Sequence, residues 1–476
     1  MENLKPEKVF KYFREICKIP HGSGDMGKIS TYCEKFALEN NLDYIRDAAN
    51  NVIIYKPASA GYENASPVIL QGHLDMVCQK DEGVNIDFET DGLDIYVDGD
   101  YLKARGTTLG ADNGIAVAMI MAILEDKTLS HPPIEAVFTV DEEIGLLGAG
   151  KLQFDKLSGK RMINMDSEEQ EILTVSCAGG SDFRMTFPVK RVKVSGTEIK
   201  IVLKGLLGGH SGVEIDKQRV NANILMGEIL QFTKENFGID IISVDGGDKG
   251  NAIPNASTAH IVIQNPEAAE KIKEFAALKK EEIAKKESGF LYEIAVGDTG
   301  EFEVFEKDLC DRIVFTLFNI PDGVVEMSAE IDGLVETSLN LGILKTDETE
   351  IVMHHALRSN KKAGLINLED KMKAFASKIN AKVETFGYYP PWEFKADSAL
   401  QEIYKEKYKE KFGQYPLVQA IHAGLECGMF AEGIDGIDCI SIGPEMHDVH
   451  TTKERLSVSS TKTIYELIIN VLAALR

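Results

Sequence analysis

The 476-residue sequence has few of the features that direct a chain to a membrane or to an oxidising compartment. No stretch reaches the roughly 20 consecutive apolar residues that cross a bilayer, and the N-terminal segment lacks the apolar core and cleavage site of a secretory signal. The seven cysteines are an odd number without CxxC spacing, which is typical of reduced core residues. We therefore expect a cytoplasmic protein that makes no membrane contact.

Basic residues are also scarce. The sequence has 52 lysines and arginines against 76 acidic residues, for a net charge of −24, and no basic run offsets this locally. Such a chain repels polyphosphate, so nucleic acid is excluded as a partner. An acidic surplus most often forms only a solvated surface, although part of it can bind cations.

The length exceeds what one hydrophobic core organises, which predicts two domains or one domain with a large insertion. The N-terminal part shows helical apolar spacing over residues 6–40, broken at Pro20–Gly24. Short apolar runs follow, with a helix predicted from Asn113 to Leu124 between the second and third of them: NVIIY, PVILQGH, IEAVFTV and RMINMD. Buried strands alternating with helices predict an α/β domain, with a mixed sheet flanked by helices.

After about residue 187 the pattern changes to alternating strands with intervening helices, which predicts an α+β domain with an antiparallel sheet. Beyond the break at Tyr388–Trp392 the α/β pattern returns, so the middle domain is expected to be an insertion. The predicted boundaries are 1–187, 188–390 and 391–476. Strand-rich stretches near 190–265 and 312–360 leave open a degenerate repeat, since no fixed period connects them.

Several acidic or imidazole side chains stand where apolar runs end or a helix begins: His73, Asp75, Asp112, Glu142, Glu143 and Asp166. Each alone has an ordinary explanation, such as a helix cap for Asp112 or solvated loop charge for Glu142. In an α/β sheet, however, the carboxyl ends of the strands border the usual ligand crevice. Carboxylates brought together there would repel one another, so the pattern predicts a bound cation.

Charge balance favours two divalent ions. Asp112, Glu143 and Asp166 supply three negative charges and a bridging hydroxide a fourth, while His73 and a second neutral histidine complete the ligands. Imidazole and carboxylate ligands without thiolate suit zinc, cobalt or manganese. We expect zinc, with cobalt and manganese as alternatives.

Eight motifs occur in order between about residues 70 and 454: GHLDMV, GTTLGADNGIAVA, DEEIGLLGA, NMDSEE, GLLGGHSGVEI, NAIPNA, HAGLECG and GPEMHDVHTTKE. Together they resemble the aminoacylase/carboxypeptidase-G metallopeptidase family, and within it most closely the aminoacyl-histidine dipeptidases. The resemblance implies a catalytic α/β domain with an inserted lid domain.

The resemblance also implies five metal ligands: His73, Asp112, Glu143, Asp166 and His450. Asp112 would bridge both ions. The last ligand of the family is a histidine followed four residues later by glutamate, which favours His450 with Glu454 and leaves His447 as the rival.

Glu142 resembles the general base of the family, and Asp75 is placed to orient the imidazole of His73. In the inserted domain the resemblance implies that His210 stabilises the oxyanion. It also implies that Asn251 and Arg358 contact the substrate carboxylate, for which the guanidinium fork of arginine is suited.

These expectations add up to metal-dependent hydrolysis of small dipeptides, with preference for Xaa-His including β-Ala-His. One alternative is an aminoacylase or N-acyl-amino-acid deacylase of the same architecture. Another is a metal-bound peptide-binding protein without turnover, against which the intact Glu142 argues. A homodimer through the lid domain is expected as an option, because His210 could act within its own chain or across a dimer.

Overall fold

The computed structural model describes residues 4–265 and 267–476. The chain forms two compact units. The first comprises Met1–Cys177, Trp392–Ala420 and Leu425–Arg476, and the second comprises Ala178–Pro391 and Ile421–Gly424. The sequence-based boundaries at 187/188 and 390/391 stay predictions. No helix in the described ranges is long and apolar enough to span a bilayer.

Some helices begin at a capping side chain: Asn221, Ser398 and Ser457 each accept a hydrogen bond from the first turn of the helix that follows. The described residues contain these helices: α1 (Glu7–Ile16), α2 (Gly27–Glu39), α3 (Ala111–Glu125), α4 (Ala222–Phe237), α5 (Ala268–Ile283), α6 (Lys307–Asn319), α7 (Lys362–Lys378), α8 (Ala399–Phe412), α9 (Glu426–Gly433) and α10 (Val458–Ala474).

The strands of the first unit before the insertion are β1 (Asp43–Arg46), β2 (Val52–Lys56), β3 (Val68–His73), β4 (Ile95–Asp98), β5 (Tyr101–Ala104), β6 (Ile134–Thr139), β7 (Arg161–Asn164) and β8 (Ile172–Cys177). Those of the second unit are β9 (Gly179–Pro188), β10 (Arg191–Lys204), β11 (Gly209–His210), β12 (Asp240–Gly246), β13 (Ala252–Ile253), β14 (Ser257–Ile263), β15 (Leu291–Phe305), β16 (Gly323–Met327), β17 (Val335–Thr346), β18 (Glu350–Ser359) and β19 (Lys382–Tyr389). The remaining strands are β20 (Leu417–Ile421), β21 (Asp438–Ser441), β22 (Met446–His447) and β23 (Arg455–Ser457).

The main sheet of the first unit has the order β1-β2-β6-β3-β7-β21-β8-β20. Its centre is parallel, since β3 runs parallel to both β6 and β7, while β1, β2 and β8 pair antiparallel with their neighbours. All six residues of β3 and of β6 are buried, as expected for strands covered on both faces. Helix α3 packs on β3. A smaller sheet, β22-β23-β5-β4, completes the unit.

The main sheet of the second unit is antiparallel and contains a repeat. Strands β15-β10-β14-β12 form one half and β17-β18-β9-β19 the other, and the halves meet where Gly246 pairs with Leu344. In chain order the first half reads β10-α4-β12-β14-α5-β15 and the second reads β9-α6-β17-β18-α7-β19. Both are ferredoxin-like βαββαβ units with the same strand order, and one is inserted after the first strand of the other.

The prediction of a mixed α/β sheet plus an inserted α+β domain with an antiparallel sheet is therefore confirmed. The repeat that the sequence left open is present in the topology. Because the inserted copy separates β9 from α6, no fixed period could appear along the chain.

Candidate metal and substrate site

The predicted ligands of the first unit follow adjacent parallel strands. His73 is the last residue of β3, Glu143 lies four residues after β6, and Asp166 lies two residues after β7. Because β6, β3 and β7 are neighbours that run in the same direction, their carboxyl ends meet at one edge of the sheet. This topology brings residues that are far apart in the sequence to one place.

His73 is buried and held from one side. Its Nδ1–H donates to the backbone carbonyl of Asp75 at 3.0 Å, which leaves Nε2 as the atom with a free lone pair. The Asp75 carboxylate lies 3.4 Å from the same Nδ1, and it accepts hydrogen bonds from the backbone N–H groups of Glu142 and Glu143 at 3.0 and 3.2 Å. Asp75 therefore connects the loop after β3 to the loop after β6.

Asp112 lies between the two imidazoles. His73 Nε2 is 3.2 Å from Asp112 Oδ1, and His450 Nε2 is 3.1 Å from Asp112 Oδ2. The backbone of Asp112 is not helical, with φ −80° and ψ 105°, although the residue lies within the first turn of α3. One carboxylate thus presents one oxygen to each histidine, which is the geometry of a bridging ligand.

The structure brings His450, and not His447, to this cluster. His450 Nε2 is 2.8 Å from Glu143 Oε1, and it lies in the loop between β22 and β23 with a left-handed backbone of φ 61°. His447 pairs instead with Arg455 in the strand ladder, and its Nε2 is 3.6 Å from Glu445.

Glu142 and Asp166 face the same imidazole. Glu142 Oε2 is 4.0 Å and Asp166 Oδ1 is 3.4 Å from His73 Nε2. Burial and the neighbouring carboxylates raise the pKa of Glu142 well above its usual range, and burial together with Asp112 raises the pKa of Asp166 to about 6. These shifts report crowded negative charge in a buried place.

The pKa values of the two histidines are also raised, which favours the charged form of an imidazole. Burial disfavours the charge on His73, but the carboxylates of Asp166 and Asp112 outweigh it and hold its pKa well above the usual value. Hydrogen bonds to Asp112 and Glu143 raise the pKa of His450 to about 11. In the described part of the chain, the ion pairs of these carboxylates are all to imidazoles.

The donor set fits divalent metal ions. Ligand atoms of His73, Asp112 and Glu143 all lie within 4.8 Å of one another, which is close enough to surround a single cation. A metal ion would satisfy the carboxylates and use the neutral Nε2 lone pairs of the imidazoles. Oxygen and imidazole nitrogen donors without thiolate are typical of catalytic zinc and of similar transition metals.

One of the predicted substrate residues of the second unit, Arg358, is buried. Arg358 is only 8% exposed; its Nη1 donates to the hydroxyl of Tyr389 at 2.6 Å, and its Nε has no hydrogen-bond partner. Among the described residues, Arg358 forms no ion pair with a carboxylate. A buried guanidinium of this kind has N–H donors that could pair with an anion.

The pKa of His210 is lowered, first by burial and then by the positive charge of the Arg358 guanidinium. Its Nδ1 accepts hydrogen bonds from the backbone N–H groups of Gly212 and Val213, so the neutral ring carries its proton on Nε2. That proton is available for donation. Asn251 is exposed, and its backbone carbonyl accepts from Ser211 N beside the short β11–β13 ladder.

His422 was not identified from the sequence, although it opens the HAGLECG motif. Its Nδ1–H donates to Asn360 Oδ1 at 2.9 Å, and its Nε2 accepts from Ser338 Oγ at 2.7 Å. Burial, then Arg358 and His210, lower its pKa to about 3. The carbonyl of His422 also borders Gly212, where an added Cβ would lie 2.5 Å from that oxygen.

Two glutamates of the first unit have hydrogen-bond partners that the sequence did not indicate. Glu426 is fully buried; its Oε2 accepts from Thr139 Oγ1 at 2.7 Å and from Gln71, while Oε1 has no partner. Glu454 accepts from backbone N–H groups at the start of α3. The only available signal for Glu454 was its spacing of four residues from His450.

Comparisons with known proteins find similarity to peptidases along almost the whole chain. A model of peptidase family M20/M25/M40 matches residues 69–474. The cytosol non-specific dipeptidase of Escherichia coli K12 is 36% identical over 99% of this chain and 98% of its own length. The crystal structure of aminoacylhistidine dipeptidase from Vibrio alginolyticus superposes with a TM-score of 0.91 at 35% identity, covering 100% of this chain and 98% of that one. Aminopeptidase PepT from Bacillus cereus shares the fold, with a TM-score of 0.57 at 17% identity over 99% of both chains.

Proposed function

Because this chain belongs to peptidase family M20/M25/M40, we propose that it hydrolyses the peptide bond of dipeptides, preferring histidine as the second residue and including β-Ala-His. The observation that carries the proposal is the convergence of His73, Asp112 and Glu143 at the carboxyl edge of the parallel strands. The names of the two relatives that align along the whole chain support the dipeptide substrate.

In this proposal two divalent ions, zinc first and cobalt or manganese as alternatives, are held by five side chains: His73, Asp112, Glu143, Asp166 and His450. Asp112 would contribute to both ions, since its two oxygens face different imidazoles. When bound, the ions polarise the scissile carbonyl and make the attacking water more acidic.

Glu142 is the proposed general base. It accepts a proton from the water as the water oxygen bonds to the carbonyl carbon, and it returns that proton to the amine nitrogen as the C–N bond breaks. Asp75 keeps His73 in the tautomer whose Nε2 lone pair is free, since the Asp75 backbone carbonyl holds the Nδ1 proton.

The second unit supplies the proposed substrate contacts. Arg358 binds the free carboxylate of the dipeptide, Asn251 assists it, and the Nε2–H of His210 donates to the carbonyl oxygen as negative charge develops there. The buried Arg358 without a carboxylate partner, and the tautomer of His210, support these roles. In this proposal His210 acts either within its own chain or across a homodimer formed through the second unit.

The first test compares substrates that differ in one half of the molecule at a time. Purified protein reconstituted with Zn²⁺, Co²⁺ or Mn²⁺ should release histidine from Ala-His and β-Ala-His faster than from N-acetyl-histidine, and Ala-His should be cleaved faster than Ala-Leu. Faster cleavage of N-acetyl-histidine would identify a deacylase instead. Binding of Ala-His without any cleavage would identify a binding protein.

The second test distinguishes the proposed general base from the proposed metal ligand by replacing each of two neighbouring glutamates. Glu142→Gln should retain both ions and lose about 100- to 10,000-fold in kcat, because the amide keeps the shape of the side chain but cannot accept the proton. Glu143→Gln should instead lose an ion, as measured by elemental analysis. Loss of metal from Glu142→Gln would exchange the two roles.

A further inference from the structure

The loop that carries His450 is anchored at a distant point of the first unit. His450 lies between β22 and β23, whose ladder pairs Met446 with Leu456 and His447 with Arg455. Its imidazole is 47% exposed, so packing constrains it little. One backbone hydrogen bond within the loop, from Glu454 N to the carbonyl of Thr451 at 3.2 Å, links Glu454 to the residue that follows His450.

The side chain of Glu454 continues this connection. It is only 3% exposed, and its two oxygens accept hydrogen bonds from the backbone N–H groups of four consecutive residues. Oε2 accepts from Leu109 at 2.6 Å and from Gly110 at 3.1 Å. Oε1 accepts from Ala111 at 2.8 Å and from Asp112 at 3.4 Å.

Two of these N–H groups, those of Ala111 and Asp112, belong to the first turn of α3, where a helix lacks partners of its own, and the other two immediately precede the helix. The N-cap residue is Gly110, which offers no side chain and has a left-handed backbone with φ 67°. An added Cβ there would lie 2.8 Å from Met76 Sδ, so a capping side chain cannot replace the glycine without displacing its surroundings. Glu454 therefore caps α3 from more than 340 residues away in the sequence.

We infer that Glu454 is a positioning residue that fixes Asp112 and His450 relative to each other, and so sets the affinity of the metal ion that these two side chains share. The carboxylate holds the Asp112 backbone through the four amides, and it holds the His450 loop through its own main chain. Asp112 and His450 are far apart in the sequence, so the chain between them does not fix their relative position. The inference rests on the proposed metal-dependent function.

Glu454→Gln tests this arrangement directly. The amide keeps the size of the side chain, but its NH2 group faces backbone donors and cannot accept from them. We expect the affinity for the ion that Asp112 and His450 share to fall about 10- to 100-fold, as is typical when a residue behind a metal ligand is lost. Titration of metal-free protein with Co²⁺, followed by visible absorption of the bound ion, measures this change. A large excess of metal should restore most of kcat while the dissociation constant stays weakened.

Glu135 provides a matched control. It is a buried carboxylate at the amino end of β6, away from the ligand edge, and it accepts hydrogen bonds from the backbone N–H groups of Ser158 and Gly159. Glu135→Gln should lower the thermal midpoint in the same way but leave Co²⁺ affinity unchanged. If Glu454→Gln does not fold, Glu454→Asp keeps the charge with a shorter reach and should give a smaller loss of affinity.

The outcomes separate this inference from the function on which it rests. Wild-type affinity for Co²⁺ in a folded Glu454→Gln or Glu454→Asp protein, with only a lowered thermal midpoint as in Glu135→Gln, would overturn the positioning role and leave the proposed function intact. Failure of the wild-type protein to bind Co²⁺ at all would overturn both. Selective loss of affinity in the Glu454 variants supports the inference.

Discussion

The first unit gathers the carboxylates of Asp112, Glu143 and Asp166 around two imidazoles, whereas the second unit buries Arg358 beside His210 and His422. In the first cluster, negative charge raises the pKa values of both histidines. In the second cluster, burial and positive charge lower the pKa values of both histidines. The pKa of the same kind of side chain therefore shifts in opposite directions in the two clusters.

This difference shows what each cluster requires. Uncompensated carboxylates need cations, and neutral imidazole nitrogens are good ligands only once those cations displace the protons. A buried guanidinium needs an anion, and nearby histidines must stay neutral if positive charge is not to accumulate. The dipeptide substrate that we propose would offer a carbonyl group to the cations of the first cluster and a carboxylate to the arginine of the second.

The most damaging change to the anionic cluster should be Asp112→Ala. Because each oxygen of Asp112 faces a different histidine, its loss should deplete both metal ions and reduce kcat/KM by at least about a thousandfold. Elemental analysis and steady-state kinetics measure the two effects. Asp98, an exposed aspartate on β4, is a suitable control: Asp98→Ala should keep both ions. Full metal content in Asp112→Ala would exclude the bridging role.

The corresponding change to the cationic cluster is Arg358→Ala, with a smaller expected effect. Loss of a charge-assisted, buried contact should lower kcat/KM for Ala-His by on the order of 100-fold without loss of metal. Wild-type enzyme should discriminate strongly against Ala-His amide, and the variant only weakly. Arg358→Lys should recover part of the activity, because a point charge lacks the planar fork.

The comparison of acid and amide also separates binding from misfolding. A distorted second unit would reduce cleavage of both substrates in proportion, so the ratio between them would remain that of the wild type. An unchanged ratio in Arg358→Ala would therefore remove Arg358 as the carboxylate contact. Asn251 would then be the next residue to test.

The sequence anticipates the two clusters to different extents. His73, Glu143 and Asp166 follow apolar runs directly, so the strand pattern alone predicts that they meet at one edge. The choice of His450 over His447 needed the family resemblance, because the two histidines lie close together in the sequence. The family assignment itself is confirmed by the match over residues 69–474.

Long-range partnerships were beyond sequence reasoning. Nothing in the spacing of Glu454 indicates that it caps a helix that starts at Ala111. His422 binds Ser338 and Asn360, which lie on different segments of the second unit, so no local motif contains the set. The interleaved repeat was hidden for a similar reason, because pairing of non-consecutive strands leaves no periodic signal.

The smallest expected effect concerns the neutral histidine of the cationic cluster. His422 has a pKa of about 3 in the folded protein, lowered first by burial and then by Arg358 and His210, against about 6.5 in an unfolded chain. Below pH 6.5 the unfolded state therefore binds a proton that the folded state does not, so folding stability falls as the pH decreases. Between pH 7 and pH 5 this one group should cost on the order of 2 kcal/mol.

His422→Gln removes the titrating group, while its amide can still donate towards Asn360 and accept from Ser338. The variant should be less stable than the wild type at pH 7, because it packs less well, and the difference should shrink by on the order of 2 kcal/mol at pH 5. Urea unfolding followed by circular dichroism at both pH values measures this change. Other buried histidines titrate equally in both proteins, so they cancel in the difference. A stability difference that is independent of pH would mean that the pKa of His422 is not lowered in the folded protein. The cationic cluster would then not disfavour protonation of its imidazoles, and the contrast with the anionic cluster would not hold.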